Sequence, residues 1–223
     1  KKSNLSHRPI GIGVQCLIDC YQMLGYPFDS KEAELLNKQI FETMYYAALK
    51  TSCELAQKYG KYETFDGSPT SKGQLQFHLW DKSEKDLVMN YDWNKLISDI
   101  IKHGLRNCVL LANMPTASTS NIMANSESFD PLMSNIFVRS TLGGEFIVVN
   151  KNLVNDLIKL NLWTDQIRNA IITFNGSVRN ITEIPENIRE IYKTAFEVKQ
   201  KAIINQAADR GIYIDMTQSM NLF

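Results

Sequence analysis

The chain carries no excess of either charge. Its 24 Lys and Arg are matched by 24 Asp and Glu, for a formal net charge of zero. That balance argues against a nucleic-acid surface, which needs a basic excess to displace counterions from phosphate. No run approaches the roughly 18 apolar residues a membrane helix needs, and none has the layout of a signal peptide. Histidine is scarce: His7, His78 and His103 stand singly, without ligand spacing. The four cysteines, Cys16, Cys20, Cys53 and Cys108, form no CxxC and no regular framework. Cys16 and Cys20 are spaced to share a helix face, which is half of a metal site whose other half is missing. The thiols are therefore read as free, buried and kept in a reducing compartment. A Walker loop, a Ser/His/Asp constellation and a dinucleotide fingerprint are also absent. Gly11-Ile12-Gly13 is half of G-x-G-x-x-G, with Cys16 where the third glycine belongs.

What is present is globular. The 223 residues are 44% hydrophobic and 10% aromatic, too apolar for disorder and enough for one domain or a piece of a larger one. The chain begins Lys1-Lys2-Ser3-Asn4 without Met and stops on Asn221-Leu222-Phe223, ends that read as cuts through a longer polypeptide.

Residues 9–15 read as a short buried strand whose glycines allow close backbone approach. An apolar helix follows from about Cys16 to Leu24, stopped by Gly25 and Pro27. Asp29 and Ser30 cap a long helix to about Tyr59, with Ala33, Leu36, Ile40, Met44 and Ala47 as its inner stripe and Gly60 as its stop. Residues 60–73 are loop, Gln74 to Trp80 is helical, and Asp92 caps a helix ending at Gly104. Cys108 to Ala112 is a continuous apolar run, expected as a strand buried on both faces. Ile136 to Val149 is extended chain broken at Gly143-Gly144, and helices are expected at 151–161 and 164–174. A last helix runs from Pro185-Glu186 to Arg210-Gly211, before a final strand at Ile212–Asp215. Buried strands alternating with amphipathic helices mean α/β, with parallel strands and no domain linker.

The best local signal for chemistry is Cys108 to Ile122. A buried strand ends in a proline, and small hydroxylic residues then open a helix. That order suits an oxyanion: small side chains let the ligand reach the backbone, consecutive N–H groups converge, and the helix dipole favours negative charge. Thr116, Ser118 and Thr119 add hydroxyl donors. The plainer alternative is a capped helix start with no ligand, since Ser and Thr are good caps in any case. Ligands in α/β folds gather at the carboxyl ends of strands, which favours the anion site. Glu127, Asp130 and Glu145 are nearby carboxylates for general acid or base work, but none has a partner that would shift its pKa, and solvated carboxylates are the commoner case. Adjacent Tyr45 and Tyr46 point about 100° apart on a helix, so one ring is expected inside and the other half-exposed.

Several segments then resemble one family: His7-Arg8-Pro9-Ile10-Gly11-Ile12-Gly13-Val14-Gln15, Leu35 to Thr43, and Met114-Pro115-Thr116-Ala117-Ser118-Thr119. So do Ser134-Asn135-Ile136, Gly144-Glu145-Phe146, Asn175-Gly176-Ser177 and Ala207 to Gly211. Together, and in order along the whole chain, they resemble the large catalytic subunit of class I ribonucleoside-diphosphate reductases of the eukaryotic and viral type. The resemblance implies the later part of a ten-stranded α/β barrel, two five-stranded parallel halves arranged antiparallel. It implies that Pro115, Thr116, Ala117, Ser118 and Thr119 hold the diphosphate of a ribonucleoside diphosphate by amides and hydroxyls.

No catalytic residue of the family falls in this chain. Its Asn-x-Cys-x-Glu finger loop, with the thiyl cysteine and the general base, has no counterpart here, and the radical-relay tyrosine pair lies beyond the family's counterpart of Phe223. The nucleotide-binding regulatory cone lies toward the other end. The family usually has Gly where Cys16 stands, which costs little if the backbone there is helical. The resemblance further implies a di-iron/tyrosyl small subunit as the radical source, thioredoxin or glutaredoxin as reductant, and a large-subunit homodimer or higher oligomer. ATP and dNTP effectors bind outside this segment, and no cofactor, nucleic acid or membrane is bound by it. It implies a cytoplasmic oxidoreductase for DNA precursor synthesis, of which this part alone is inactive. The alternative is a reductase homologue that has lost catalysis and acts by interaction.

Overall fold

A computed structural model describes all of residues 1–223. In chain order its helices are α1 (Lys2–His7), α2 (Leu17–Leu24), α3 (Lys31–Tyr59), α4 (Trp93–His103), α5 (Ala117–Met123), α6 (Lys151–Lys159), α7 (Asp165–Thr173), α8 (Glu186–Ile191) and α9 (Gln200–Gly211). Its strands are β1 (Ala112–Asn113), β2 (Ile136–Thr141), β3 (Gly144–Val149) and β4 (Thr217–Gln218). No helix is long and apolar enough to cross a membrane. The chain folds as two units. The first comprises Lys1–Val14, Glu34–Pro115 and Asn205–Met220; the second comprises Gln15–Ala33, Thr116–Ile204 and Asn221–Phe223.

In the first unit α3 is the spine. Its buried face is Asn37, Phe41, Tyr45, Leu49, Cys53 and Ala56. The expected stripe Leu36, Ile40, Met44 is only half-buried, and Ala47 is exposed. The two stripes are about 100° apart round the helix. The aromatic one goes inside because rings remove more apolar surface from water, and Tyr45 meets Trp93 of α4 at a centroid distance of 6.2 Å. Tyr46 is half-exposed and stacks on Tyr91, as the angular spacing of the pair required. Met44, Ala47 and Leu55 instead border an apolar groove of about 360 Å³ with Ile10 and Ile12. Asp92 caps α4 through Lys95 N.

A narrow parallel sheet completes this unit. Ile10 and Ile12 donate to Val109 and Leu110, Ala112 donates back to Ile12, and β4 lies parallel to β1 on the other side. Residues 9–15, expected as a buried strand, form none: they carry a single parallel bridge from Ile12 to Leu111, and residues 9–13 are exposed. Gly13 answers the close approach: a Cβ there would lie 2.9 Å from the carbonyl of Ala112. The last strand is displaced from Ile212–Asp215 to Thr217–Gln218. Tyr213 and Ile214 are buried, but Asp215 turns its carboxylate onto the amides of Leu110 and Leu111 at 2.8–3.0 Å, taking donors that a ladder partner would otherwise meet. Burial pushes that carboxyl above its ordinary range, and the same amides oppose the shift.

The second unit has its own core of Leu153, Leu157, Ile167, Ile171, Val178, Ile181, Ile184, Ile191 and Tyr192. β2 and β3 form an antiparallel hairpin, so the longest strands of the chain are not parallel ones. Gly176, at φ +85, is required where it stands, because a Cβ would fall 1.8 Å from Ser134 Oγ. The single helix expected from Pro185 to Gly211 is two, α8 and α9, with a break between them. In the break Thr194 donates its amide and hydroxyl to Glu197 Oε2, and the amide of Ala195 goes to the carbonyl of Leu132. Local side-chain bonds of this kind displace the helical pattern.

Candidate functional site

Pro115 is the last residue of the first unit; Thr116, Ala117, Ser118 and Thr119 belong to the second. Thr116 is the N-cap of α5, yet it caps nothing with its side chain. Its backbone is left-handed, at φ 61 and ψ 22, where an N-cap ordinarily sits in the extended region. For a β-branched residue that conformation costs on the order of 1–3 kcal/mol, and strain of this kind collects at functional sites. Its Oγ1 is turned away from the helix and accepts from the amide of Ser128 at 2.8 Å. The first α-helical bond is donated by Ser120 N to the carbonyl of Thr116, at 2.9 Å. The amides of Ala117, Ser118 and Thr119 come before it and so lack an intrahelical partner.

Those three residues are exposed and small. Thr119 Oγ1 makes a long bond of 3.3 Å to the carbonyl of Thr116, and Ser120 is buried beneath them. The result is a first helical turn with open amides, hydroxyls beside them and the positive end of the helix dipole behind them. It can hold an oxyanion with several oxygens. No Lys, Arg or His occurs between residues 107 and 138, so the turn's own segment offers an anion only backbone dipoles and hydroxyls.

The other candidate carboxylates take no part in this turn. Glu127 is exposed, Asp130 accepts from Asn221 Nδ2 at 2.6 Å, and Glu145 accepts from Ser140 Oγ at 3.2 Å. Glu127 and Asp130 border a cleft of about 760 Å³ that Asp19, Ser120, Asn121, Ser126, Arg139 and Lys151 also line. Arg139 donates to Asn121 Oδ1 in the last turn of α5.

All four thiols are free, but only Cys53 is buried; Cys16, Cys20 and Cys108 are half-buried. Desolvation, then the neighbouring Asp19 and Cys20, holds the Cys16 thiol above its ordinary pKa. Cys16 also corrects a backbone expectation. It is left-handed rather than helical, at φ 60, so a side chain there costs about 1–2 kcal/mol where glycine would cost nothing.

Sequence reasoning missed the residues that hold Thr116 in place. Asp19, Ser126 and Ser128 are spread over two segments, and no local pattern marks them. The one available signal is a lone carboxylate inside the apolar run Leu17-Ile18-Asp19-Cys20.

Residues 1–223 match the family described as ribonucleotide reductase, barrel domain. The chain is 56% identical over 222 residues to the ribonucleoside-diphosphate reductase large chain of Cryptosporidium parvum, covering 100% of this chain and 27% of that one. It is 53% identical over 222 residues to the large subunit of Caenorhabditis elegans, covering 100% and 28%. Among solved structures, the class Id ribonucleotide reductase alpha subunit of Actinobacillus ureae is similar with a TM-score of 0.75 and 28% identity, covering 99% of this chain and 34% of that one. The chain spans about a quarter of the length of the curated relatives it matches.

Proposed function

The chain belongs to the ribonucleotide reductase barrel-domain family, and from that membership we propose that it is the part of a ribonucleoside-diphosphate reductase large subunit that cradles the substrate's diphosphate. The carrying observation is the open first turn of α5, where the cap hydroxyl is committed to Ser128 and the amides of the exposed Ala117, Ser118 and Thr119 lack an intrahelical partner. Pro115 precedes the turn and cannot donate; Thr116 shapes it; Ser118 and Thr119 add hydroxyls. The lack of basic residues from 107 to 138 fits a phosphate held by dipoles rather than by ion pairs.

In this reading the cradle contributes to catalysis by position. Fixing the diphosphate fixes the ribose against groups that residues 1–223 do not contain, and such orientation can supply several kcal/mol, up to about 7–11 in well-aligned systems. The reacting thiyl cysteine and its general base lie outside this chain, which has no Asn-x-Cys-x-Glu, so the segment alone is inactive. The radical comes from a di-iron/tyrosyl small subunit and electrons come from thioredoxin or glutaredoxin. ATP and dNTP regulate from elsewhere, and the whole works in the cytoplasm as a large-subunit dimer or higher oligomer.

The test is turnover. The full-length protein that carries this chain, given a radical-generating small subunit and a dithiol reductant, is expected to convert a ribonucleoside diphosphate to its 2′-deoxy product. Diphosphate binding without turnover would instead favour a homologue that has lost catalysis.

A further inference from the structure

The left-handed, non-capping state of Thr116 needs a cause, and the second unit supplies one. Thr116 Oγ1 is held by the amide of Ser128, which is itself left-handed at φ 41 and 1% exposed. The turn that presents Ser128 is fastened to the start of α2 at several points. Cys16 N donates to Ser126 O at 3.1 Å, Leu17 N to Ser128 O at 3.2 Å, and Gln15 Nε2 to Asn125 Oδ1 at 3.3 Å. The shortest bonds converge on one carboxylate: Ser126 donates its amide at 2.7 Å and its hydroxyl at 2.5 Å to Asp19 Oδ2. Asn152 Nδ2 holds the other oxygen, Oδ1, at 3.3 Å.

Taking the diphosphate cradle as read above, we infer that Asp19 is a positioning residue for substrate phosphate: it clamps Ser126, which places the Ser128 amide, which keeps the Thr116 hydroxyl off the first turn of α5. Threonine is a competent cap. Released from Ser128, its hydroxyl can turn onto the amides of Ser118 or Thr119 and compete with the phosphate for them. A carboxylate suits the clamp because it accepts several bonds at once, and charge-assisted bonds are short and strong. Asp19 is not part of the cradle; it acts through Ser126, Ser128 and Thr116.

The experiment is steady-state kinetics on the full-length enzyme with its small subunit and a ribonucleoside diphosphate. Asp19→Ala is expected to raise KM about tenfold, the effect of about one lost hydrogen bond to a charged group, with kcat within about twofold. Asp19→Asn keeps an acceptor oxygen for Ser126 and is expected to recover most of the loss. Ser126→Ala removes one of the two donors and leaves the carboxylate in place, so a smaller rise in KM is expected from it, together with a less-than-additive effect beside Asp19→Ala. The inference is overturned if Asp19→Ala and Ser126→Ala leave KM unchanged while Ser118→Trp raises it. It is also overturned if Asp19→Ala lowers kcat without raising KM, the mark of a general structural defect. Should Ser118→Trp itself leave KM unchanged, the cradle reading is what fails.

Discussion

Replacing Ser118 by tryptophan in the full-length enzyme is expected to raise the KM for a ribonucleoside diphosphate by about 100-fold or more. Ser118 is exposed in the first turn of α5, between the open amides of Ala117 and Thr119. An indole at this position covers the amides beside it without entering any core, since Ser118 is exposed. Each hydrogen bond to a charged phosphate oxygen is worth about 1.5–3 kcal/mol, so the loss of two is already about two orders of magnitude in affinity. Because the cradle binds a part of the substrate remote from the reacting carbon, KM carries most of the effect and kcat falls less. Ser118→Ala removes only a hydroxyl and is expected to cost about tenfold or less. Steady-state kinetics at several substrate concentrations separate the two. An unchanged KM for Ser118→Trp would remove the cradle from this loop.

The largest expected loss of stability is at Glu42. It is wholly buried on α3. It is satisfied by four donors: Val88 N at 2.8 Å, Met89 N at 3.1 Å, Trp93 Nε1 at 3.5 Å and Tyr213 Oη at 3.0 Å. One carboxylate thus ties α3, the segment before α4, α4 itself and the segment after α9. Burial, reinforced by Glu42, pushes the Tyr213 phenol well above its ordinary range, so it stays a donor. Glu42→Ala leaves those donors buried without acceptors at about 1–3 kcal/mol each and opens a cavity as well, a loss of about 5 kcal/mol or more. Glu42→Gln keeps one acceptor oxygen but turns an amide nitrogen toward donors, and about half that loss is expected. Denaturant unfolding of the chain measures both. A midpoint for Glu42→Ala equal to the unsubstituted chain would contradict this account of the first unit.

What was legible in the sequence was local. Gly25 and Gly60 stop α2 and α3, Asp92 caps α4, and the small hydroxylic run after Pro115 opens α5, each because one residue type meets one backbone need. The failures share a different cause. Periodicity on α3 is compatible with two adjacent stripes, and the Trp93 ring that Tyr45 meets inside is distant in sequence. Helical pattern ran through residues 192–199, where a Glu197 side chain and the carbonyl of Leu132 take the amides of Thr194 and Ala195. The apolar residues 212–215 read as a final strand, but a buried acid among them, Asp215, claims the neighbouring amides.

The candidate site divides in the same way. Its ligand-facing residues, Thr116 to Thr119, are contiguous and could be read directly. The conformation that makes them useful depends on Ser128 and on Asp19, which lies 97 residues before Thr116, and neither distance nor residue type announces the connection.

The most direct test of the central claim is a structure of the full-length protein with a ribonucleoside diphosphate bound. Phosphate oxygens within about 3.2 Å of the amide nitrogens of Ala117, Ser118 and Thr119, with Thr116 Oγ1 still on Ser128, is the predicted result. A diphosphate held elsewhere, with those three amides left to solvent or capped by Thr116, would contradict it.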